Sequence, residues 1–171
     1  INAMTQSEIN VEGAVFATNN TTTSNSLGIN LNDSILRVKK YAQLDGNRST
    51  NLRAVNGSRV VIENSDNSFI APISLATSNS VTGNGIELIN SEMRVSGAVA
   101  SNNNKLINIS EIQSSFVIGN TLINPTVLGT LQANSSKNSM GIYMVDSSLE
   151  VSGDVTAAGN NQDNLNASVG S

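Results

Sequence analysis

Apolar and polar residues alternate in six short segments of the chain, and each segment begins with a serine. The six serines are Ser7, Ser34, Ser58, Ser91, Ser114 and Ser147. The second and fourth residues after each serine are always apolar, whereas the first and third are mostly polar. The apolar residues are Ile9, Val11, Leu36, Val38, Val60, Ile62, Met93, Val95, Phe116, Ile118, Leu149 and Val151. A period of two residues is typical of a β-strand with one buried face, so each segment is predicted to be a strand.

Longer similarities show that the chain is built from repeats. Gly28, Gly85 and Gly141 begin three similar stretches, GINLNDSILRV, GIELINSEMRV and GIYMVDSSLEV, which are spaced 57 and 56 residues apart. Within these stretches, further apolar residues lie five and three positions before the serine. A unit of about 23 residues, the spacing from Ser91 to Ser114, is therefore predicted to contain about three short strands joined by corners.

Two units are longer than the others by about ten residues, which predicts inserted loops at 67–84 and 120–140. Each insertion contains one of the two prolines of the chain, Pro72 and Pro125, and proline suits loops and sheet edges. Because a rigid scaffold often carries function on its loops, these two ranges are also candidate functional elements.

A single unit cannot bury its inward valines, isoleucines and leucines, but a stack of units can. Stacking pairs each strand with its counterpart in the next unit, about 4.8 Å away. The sequence therefore predicts an all-β fold, a right-handed single-stranded parallel β-helix of about six coils that spans 1–171 as one segment. Both ends of such a stack are open edges, so we expect the natural protein to continue beyond them. A β-sandwich of the same strands stays open as an alternative, because periodicity alone does not separate the two folds.

The composition removes several classes of function. Of the 171 residues, 27 are Asn and 25 are Ser, and the chain contains no Cys, His or Trp. Disulfides, thiolate zinc sites and a Ser-His-Asp triad are therefore excluded, and we expect no cofactor or metal. The net charge of -4 argues against nucleic acids and anionic membranes as partners. No apolar run approaches the ~20 residues of a membrane helix, so we expect no membrane insertion by this segment.

Two stretches, Gly85–Val99 and Gly141–Val155, follow the pattern G-I-x-h-x-x-S-x-h-x-h-x-G-x-V, in which h is apolar. This pattern resembles the passenger domains of pertactin-type bacterial autotransporters, which also lack Cys and have corners rich in Asn, Ser and Gly. The resemblance implies a secreted protein or one exposed on the bacterial outer membrane, with adhesive roles toward host molecules, other bacteria or glycans. Phage tail proteins and polysaccharide-degrading enzymes also use this fold, so the fold alone does not decide the function.

The outward positions place charged side chains in columns across neighbouring coils. One column contains Glu12, Lys39 and Glu63, and another pairs Arg59 with Glu92. We interpret these columns as weak ion pairs between strands. The alternative is a binding face for an acidic or sulfated glycan. The candidate partner-binding residues are Arg37, Lys39, Arg59, Glu63, Glu92 and Arg94.

The sequence does not indicate a catalytic site. A glycosidase needs two carboxylates at a defined separation across an open groove. Glu63 and Glu92 lie in adjacent coils but four positions apart along the strand direction, and each has a basic neighbour that favours its ionised form. No catalytic residue is assigned, and we do not expect this segment to be an enzyme.

Two further patterns occur on the outside of the predicted coils. Ile35, Val61 and Val117 are apolar at outward positions, which predicts either cover by an inserted loop or a small partner-binding patch. Asparagines recur at the corner after a unit's second strand, where they tolerate left-handed conformations and can form an amide ladder or, alternatively, coordinate a cation. They are Asn19, Asn20, Asn102, Asn103, Asn104, Asn160 and Asn161.

Together these features predict an adhesive or display segment that recognises a glycan, a host protein or a neighbouring cell through its stacked face and its loops. The open edges could also pair with another copy of the chain. The alternatives are a carbohydrate-active β-helix, as in phage tails and polysaccharide lyases, and a purely structural spacer.

Overall fold

The computed structural model describes residues 1–23, 25–64, 75–119 and 129–171. The regular secondary structure assigned in these ranges consists of short β-strands, in keeping with the many β-branched residues. In chain order the strands are β1 Asn2–Met4, β2 Glu8–Val11, β3 Val15–Thr18, β4 Ile29–Asn32, β5 Ile35–Val38, β6 Ala42–Asp45, β7 Leu52–Val55, β8 Arg59–Ile62, β9 Leu75–Ser78, β10 Ile86–Ile89, β11 Glu92–Val95, β12 Val99–Asn102, β13 Ile109–Ile112, β14 Ser115–Ile118, β15 Leu131–Gln132, β16 Ile142–Val145, β17 Ser148–Val151, β18 Val155–Thr156 and β19 Leu165–Ser168.

The strands form three sheets in which every pairing is parallel. The first sheet runs β1-β4-β7-β10-β13-β16-β19, the second β2-β5-β8-β11-β14-β17, and the third β3-β6-β9-β12-β15-β18. Each coil therefore contributes one strand to each sheet, and every third strand along the chain becomes a spatial neighbour. This arrangement confirms the parallel β-helix and excludes the β-sandwich, whose sheets are antiparallel.

The two predicted loops are wrong in part. The range 67–84 contains β9 and the range 120–140 contains β15, and both strands continue the third sheet. Leu75 and Leu131 are fully buried inward residues, but the second inward position of β9 is the polar Thr77 and β15 has only two residues, so the alternation was too short to indicate a strand. Both prolines lie in 67–74 and 120–128, outside the described residues, whereas 79–84 and 133–140 are described and contain no strand.

The inward residues of the second sheet follow the predicted register. One column contains Ile9, Leu36, Val60, Met93, Phe116 and Leu149, and the other contains Val11, Val38, Ile62, Val95, Ile118 and Val151. In the four middle coils these side chains are at most 1% exposed, and those of the first and last coils are partly buried against the same core. Burying one such side chain stabilises the fold by roughly 1.5–3 kcal/mol, which explains why the alternation is so regular.

The serine that begins each predicted strand stabilises the corner between the first and second sheets. The Ser91 hydroxyl donates to the carbonyl of Ile89 at 2.9 Å, at the end of the preceding strand. The hydroxyl of Ser114, in the next coil, donates to its own preceding strand and accepts a hydrogen bond from the Ser91 N–H at 3.2 Å. The residue before each of these serines, Asn90 or Gln113, has a left-handed backbone with φ of 48° or 50°. The serine thus pairs backbone groups that the sharp corner would otherwise leave unsatisfied.

The corner between the third and first sheets is held by an asparagine ladder. Each side-chain Nδ2 donates to the next Oδ1 over 2.6–3.1 Å, in the order Asn20, Asn47, Asn51, Asn104, Asn108, Asn160 and Asn164. The four central members are fully buried. The ladder expected from the asparagine corners is therefore present, but four of its seven members were not among the asparagines that the sequence pattern indicated.

The glycines that begin the three similar stretches lie against this ladder. A Cβ atom on Gly28 would lie 2.7 Å from the Asn47 side-chain nitrogen, and one on Gly141 would lie 2.5 Å from that of Asn160. Gly85 stands in the same relation to the Asn104 amide. None of the three glycines has a positive φ. Glycine recurs here because the amides fill the space that a side chain would need, and not because the backbone is left-handed.

Candidate functional site

A shallow groove of about 900 Å³ follows the outside of the serine corner, between the first and second sheets. Because this corner repeats once in each coil, the groove extends along the stack and each coil adds a similar set of side chains. Its floor includes the buried serines Ser58, Ser91, Ser114 and Ser147. Their hydroxyls are engaged with the backbone of the corner, so recognition of a ligand falls to the side chains of the two walls.

One wall of the groove presents exposed amide and carboxylate groups. It is formed by Asn90, Gln113 and Asp146, each the residue before a corner serine and each with a left-handed backbone. The opposite wall is formed by the first residues of the strands in the second sheet. These are successive register partners, Ile35, Arg59, Glu92, Ser115 and Ser148. The walls therefore offer hydrogen-bond donors and acceptors at steps of about 4.8 Å along the groove.

Three of the six candidate residues are brought into one cluster. Glu92 Oε2 lies 3.2 Å from Arg59 Nε, and Glu92 Oε1 lies 2.8 Å from Arg94 Nη2. Arg94 Nε also donates to the same Oε1 at 2.8 Å. The Arg59 nitrogen is buried without an aligned hydrogen bond, so its contact with Glu92 is an ion pair only. Arg59 and Glu92 line the groove, whereas Arg94 supports Glu92 from the next outward position of β11.

The other three candidates lie away from the groove lining. Arg37 Nε is 3.3 Å from Glu8 Oε1, and Lys39 Nζ is 2.7 Å from Glu12 Oε2. Glu12 raises the pKa of the Lys39 ammonium, first through this hydrogen bond and then through its charge, and Glu63 adds a smaller effect of its charge alone. Of the predicted columns, Lys39 pairs with Glu12 and Arg59 pairs with Glu92, whereas Glu63 acts on Lys39 through its charge alone. Because these side chains are largely open to solvent, each pair contributes little to stability.

The apolar outward residues are half-buried. Val61 and Val117 are the two register partners of Arg94, and the aliphatic stem of an arginine can cover such neighbours. Ile35 lies at one end of the groove. The predicted cover concerns the inserted loops 67–84 and 120–140, of which 67–74 and 120–128 lie outside the described residues, so it stays a prediction.

Sequence reasoning found Arg59 and Glu92 but missed most of the groove. The wall residues Asn90, Gln113 and Asp146 differ in type, so no motif marks them. The signal that could have found them is their position, since each directly precedes a corner serine. A left-handed residue at a repeated corner places its side chain at the same place in every coil.

In the four described ranges, no group of three or more acidic side chains is arranged to hold a metal ion. No helix in the same ranges is long and apolar enough to cross a membrane. No family model, no curated protein and no solved structure matches the chain. The β-helix therefore rests on the parallel register of its own strands, and the resemblance to autotransporter passengers stays a prediction.

Proposed function

We propose that this chain is an adhesive segment of a secreted or cell-surface protein, and that it binds an extended glycan along the groove between the first and second sheets. The observation that carries the proposal is the groove itself. It is long, open and shallow, and its walls repeat polar side chains from coil to coil. A polymer with many hydroxyl groups can hydrogen-bond to such a surface at several successive coils, so that weak contacts add up along the chain.

The charged cluster supports a ligand with acidic as well as neutral groups. Glu92 is shared between Arg59 and Arg94, so the cluster of three side chains carries one net positive charge. Arg59 and Glu92 line the groove with Arg94 beside them, and Asp146 adds one negative charge on the opposite wall. A guanidinium can bind a carboxylate or sulfate with two parallel hydrogen bonds. The exposed amides Asn90 and Gln113 on the opposite wall suit neutral hydroxyl groups, since an amide both donates and accepts.

Binding is favoured over turnover by the placement of the acidic side chains. Of the two carboxylates considered from the sequence, Glu92 lines the groove and Glu63 is not part of its lining. Asp146 lies on the opposite wall, but it is two coils from Glu92, about 9.6 Å along the stack before the width of the groove is added, which exceeds the spacing of a catalytic carboxylate pair. Glu92 is also held by the two guanidiniums of Arg59 and Arg94, so both of its carboxylate oxygens are already engaged in ion pairs. We therefore propose recognition without cleavage, as in the autotransporter passengers that the sequence resembles.

The proposal is tested by incubating the 171-residue chain with a glycan array and with an array of extracellular-matrix proteins. We expect saturable binding to at least one acidic polysaccharide. Arg59→Gln should weaken that binding by about tenfold or more, because hydrogen bonds to charged groups contribute ~1.5–3 kcal/mol. Gln113→Ala, on the opposite wall, should weaken it about two- to tenfold, because neutral hydrogen bonds contribute ~0.5–1.5 kcal/mol.

The matched control is Arg37→Gln, which removes an outward arginine that is also paired with a glutamate but lies outside the groove. Its affinity should equal that of the unchanged chain. Equal losses in Arg37→Gln and Arg59→Gln would reject the groove as the site. Binding to neither array would support the structural spacer, and depolymerisation of a bound polysaccharide would support the carbohydrate-active alternative.

A further inference from the structure

A glutamate occupies an inward position in the first sheet. Glu111 on β13 is the register partner of Leu88 on β10 and of Met144 on β16. The same column continues through Leu31 and Ala54 in earlier coils. These four neighbouring coils therefore all place an apolar side chain at this position of the core, and only the coil of β13 places a carboxylic acid there.

The Glu111 carboxyl group is isolated from water and from polar partners. Its residue is 0% exposed, and neither Oε1 nor Oε2 has a hydrogen-bond partner. Placing a charged carboxylate in such surroundings costs several kcal/mol, whereas the protonated form is tolerated far better. Burial accordingly raises the pKa of the Glu111 carboxyl to about 8.

No charged group compensates Glu111 from the strands around it. The two paired strands carry Glu87 on β10 and Tyr143 on β16, but both are partners of Ser110 and so belong to the outer face of the sheet. The inward residues of the other two strands of the coil, β14 and β15, are apolar. Among the described residues, Glu111 is the one charged side chain in the buried set.

We propose that Glu111 makes the coil formed by β13, β14 and β15 a pH-sensitive element of the stack. Protonated Glu111 keeps β13 in place between β10 and β16. Ionisation favours an open state in which β13 has left the sheet and the carboxylate is hydrated. The proposal does not rest on ligand binding in the groove, although Gln113, Ser114 and Ser115 of this coil line it.

The direction of the effect follows from the proton count. The open state has the ordinary glutamate pKa of about 4.5, below that of the closed state, so the closed state binds more protons between the two values. The equilibrium constant for closing is largest below pH ~4.5. It falls by up to tenfold per pH unit above that value and reaches its minimum above pH ~8.

Hydrogen exchange of the whole chain, followed by mass spectrometry at pH 5 and pH 8, tests this proposal. After exchange is corrected for the intrinsic rate, the equilibrium constant for opening of Ile109–Ile112 should be about 100-fold or more larger at pH 8 than at pH 5, as the pKa difference requires. Peptides from Ile29–Asn32, in the same sheet but with Leu31 at the equivalent position, should show no such change.

Two variants complete the test. Glu111→Leu restores the residue type of the neighbouring coils, and Glu111→Gln keeps the shape without the charge, so both should remove the pH dependence. Glu87→Gln removes an outward carboxylate from the neighbouring strand and should leave the pH dependence intact. Scaled exchange of β13 that does not vary with pH, or a pH dependence that persists in Glu111→Leu, would overturn the proposal.

Discussion

Replacing Gly85 with alanine is expected to lower the free energy of unfolding by about 3 kcal/mol or more, a large part of the stability of a typical domain. The added Cβ would lie 2.6 Å from the Asn108 carbonyl oxygen and would also meet the Ser101 hydroxyl and the Asn104 side-chain nitrogen. All three residues are fully buried. Ser101 Oγ donates to that same Asn108 carbonyl at 2.6 Å, so relieving the clash would break an existing hydrogen bond. Urea unfolding followed by far-ultraviolet circular dichroism measures the loss.

The chain offers a matched control for this substitution. A Cβ on Gly13 would meet no atom within 4 Å, and the φ of Gly13 is not positive. Gly13→Ala should therefore be neutral or should stabilise the protein by about 0.5 kcal/mol, because alanine reduces the entropy of the unfolded chain. If Gly85→Ala unfolds at the same urea concentration as Gly13→Ala, close packing against the asparagine ladder is not the reason that glycine recurs.

Replacing Asn104 with alanine is expected to cost about 3 kcal/mol through the ladder itself. Asn104 Oδ1 accepts hydrogen bonds from Asn51 Nδ2 at 3.0 Å and from the Ser80 N–H at 3.2 Å. Its Nδ2 donates to Asn108 Oδ1 at 2.9 Å. Alanine would interrupt the ladder at its buried centre, leave polar atoms of two neighbouring coils without this partner, and create a small cavity. The urea midpoint reports the loss.

Asn161→Ala is the control, since Asn161 is an exposed asparagine directly beside a ladder member. Its effect should lie within about 0.5 kcal/mol, as for most exposed positions. A loss in Asn104→Ala no greater than that in Asn161→Ala would mean that the buried amide hydrogen bonds do not stabilise the stack.

Most of the strand arrangement could be predicted from the sequence, because burial on one face imposes a period of two. Leu36 and Met93 are fully buried, and each is a register partner of the apolar Val60, as their positions after Ser34 and Ser91 indicated. Strands β9 and β15 were missed because β9 has polar Thr77 at its second inward position and β15 is only two residues long, so neither shows two apolar residues in alternation.

The ladder could be predicted only in part, because a single sequence does not tell which corner asparagines point inward. A signal was present. Asparagines four residues apart recur with the 57- and 56-residue spacing of the three glycines, as the pairs 47 and 51, 104 and 108, and 160 and 164. The asparagine side chains contact the glycines only because the coils stack, so this contact can be recognised only after the strands have been placed.

Glu111 shows the opposite limit. It lies three residues before Ser114, at the position that Leu31, Leu88 and Met144 hold before their own serines. The register would have placed it in the core, but an acidic residue in an otherwise weak repeat suggests solvent. Hydrophobic periodicity identifies a buried face by its majority, so it does not reveal the single member that conflicts with the rest.

The asparagine ladder also gives the stack a polarity. Every link donates in the same sense, from Asn20 toward Asn164, alternating between bonds within a corner and bonds between coils, so neighbouring hydrogen bonds can polarise and strengthen one another. One end of the array presents an acceptor and the other a donor. A further coil that continues the ladder therefore has to donate and accept in the same sense, and two identical ends brought face to face would not extend the array.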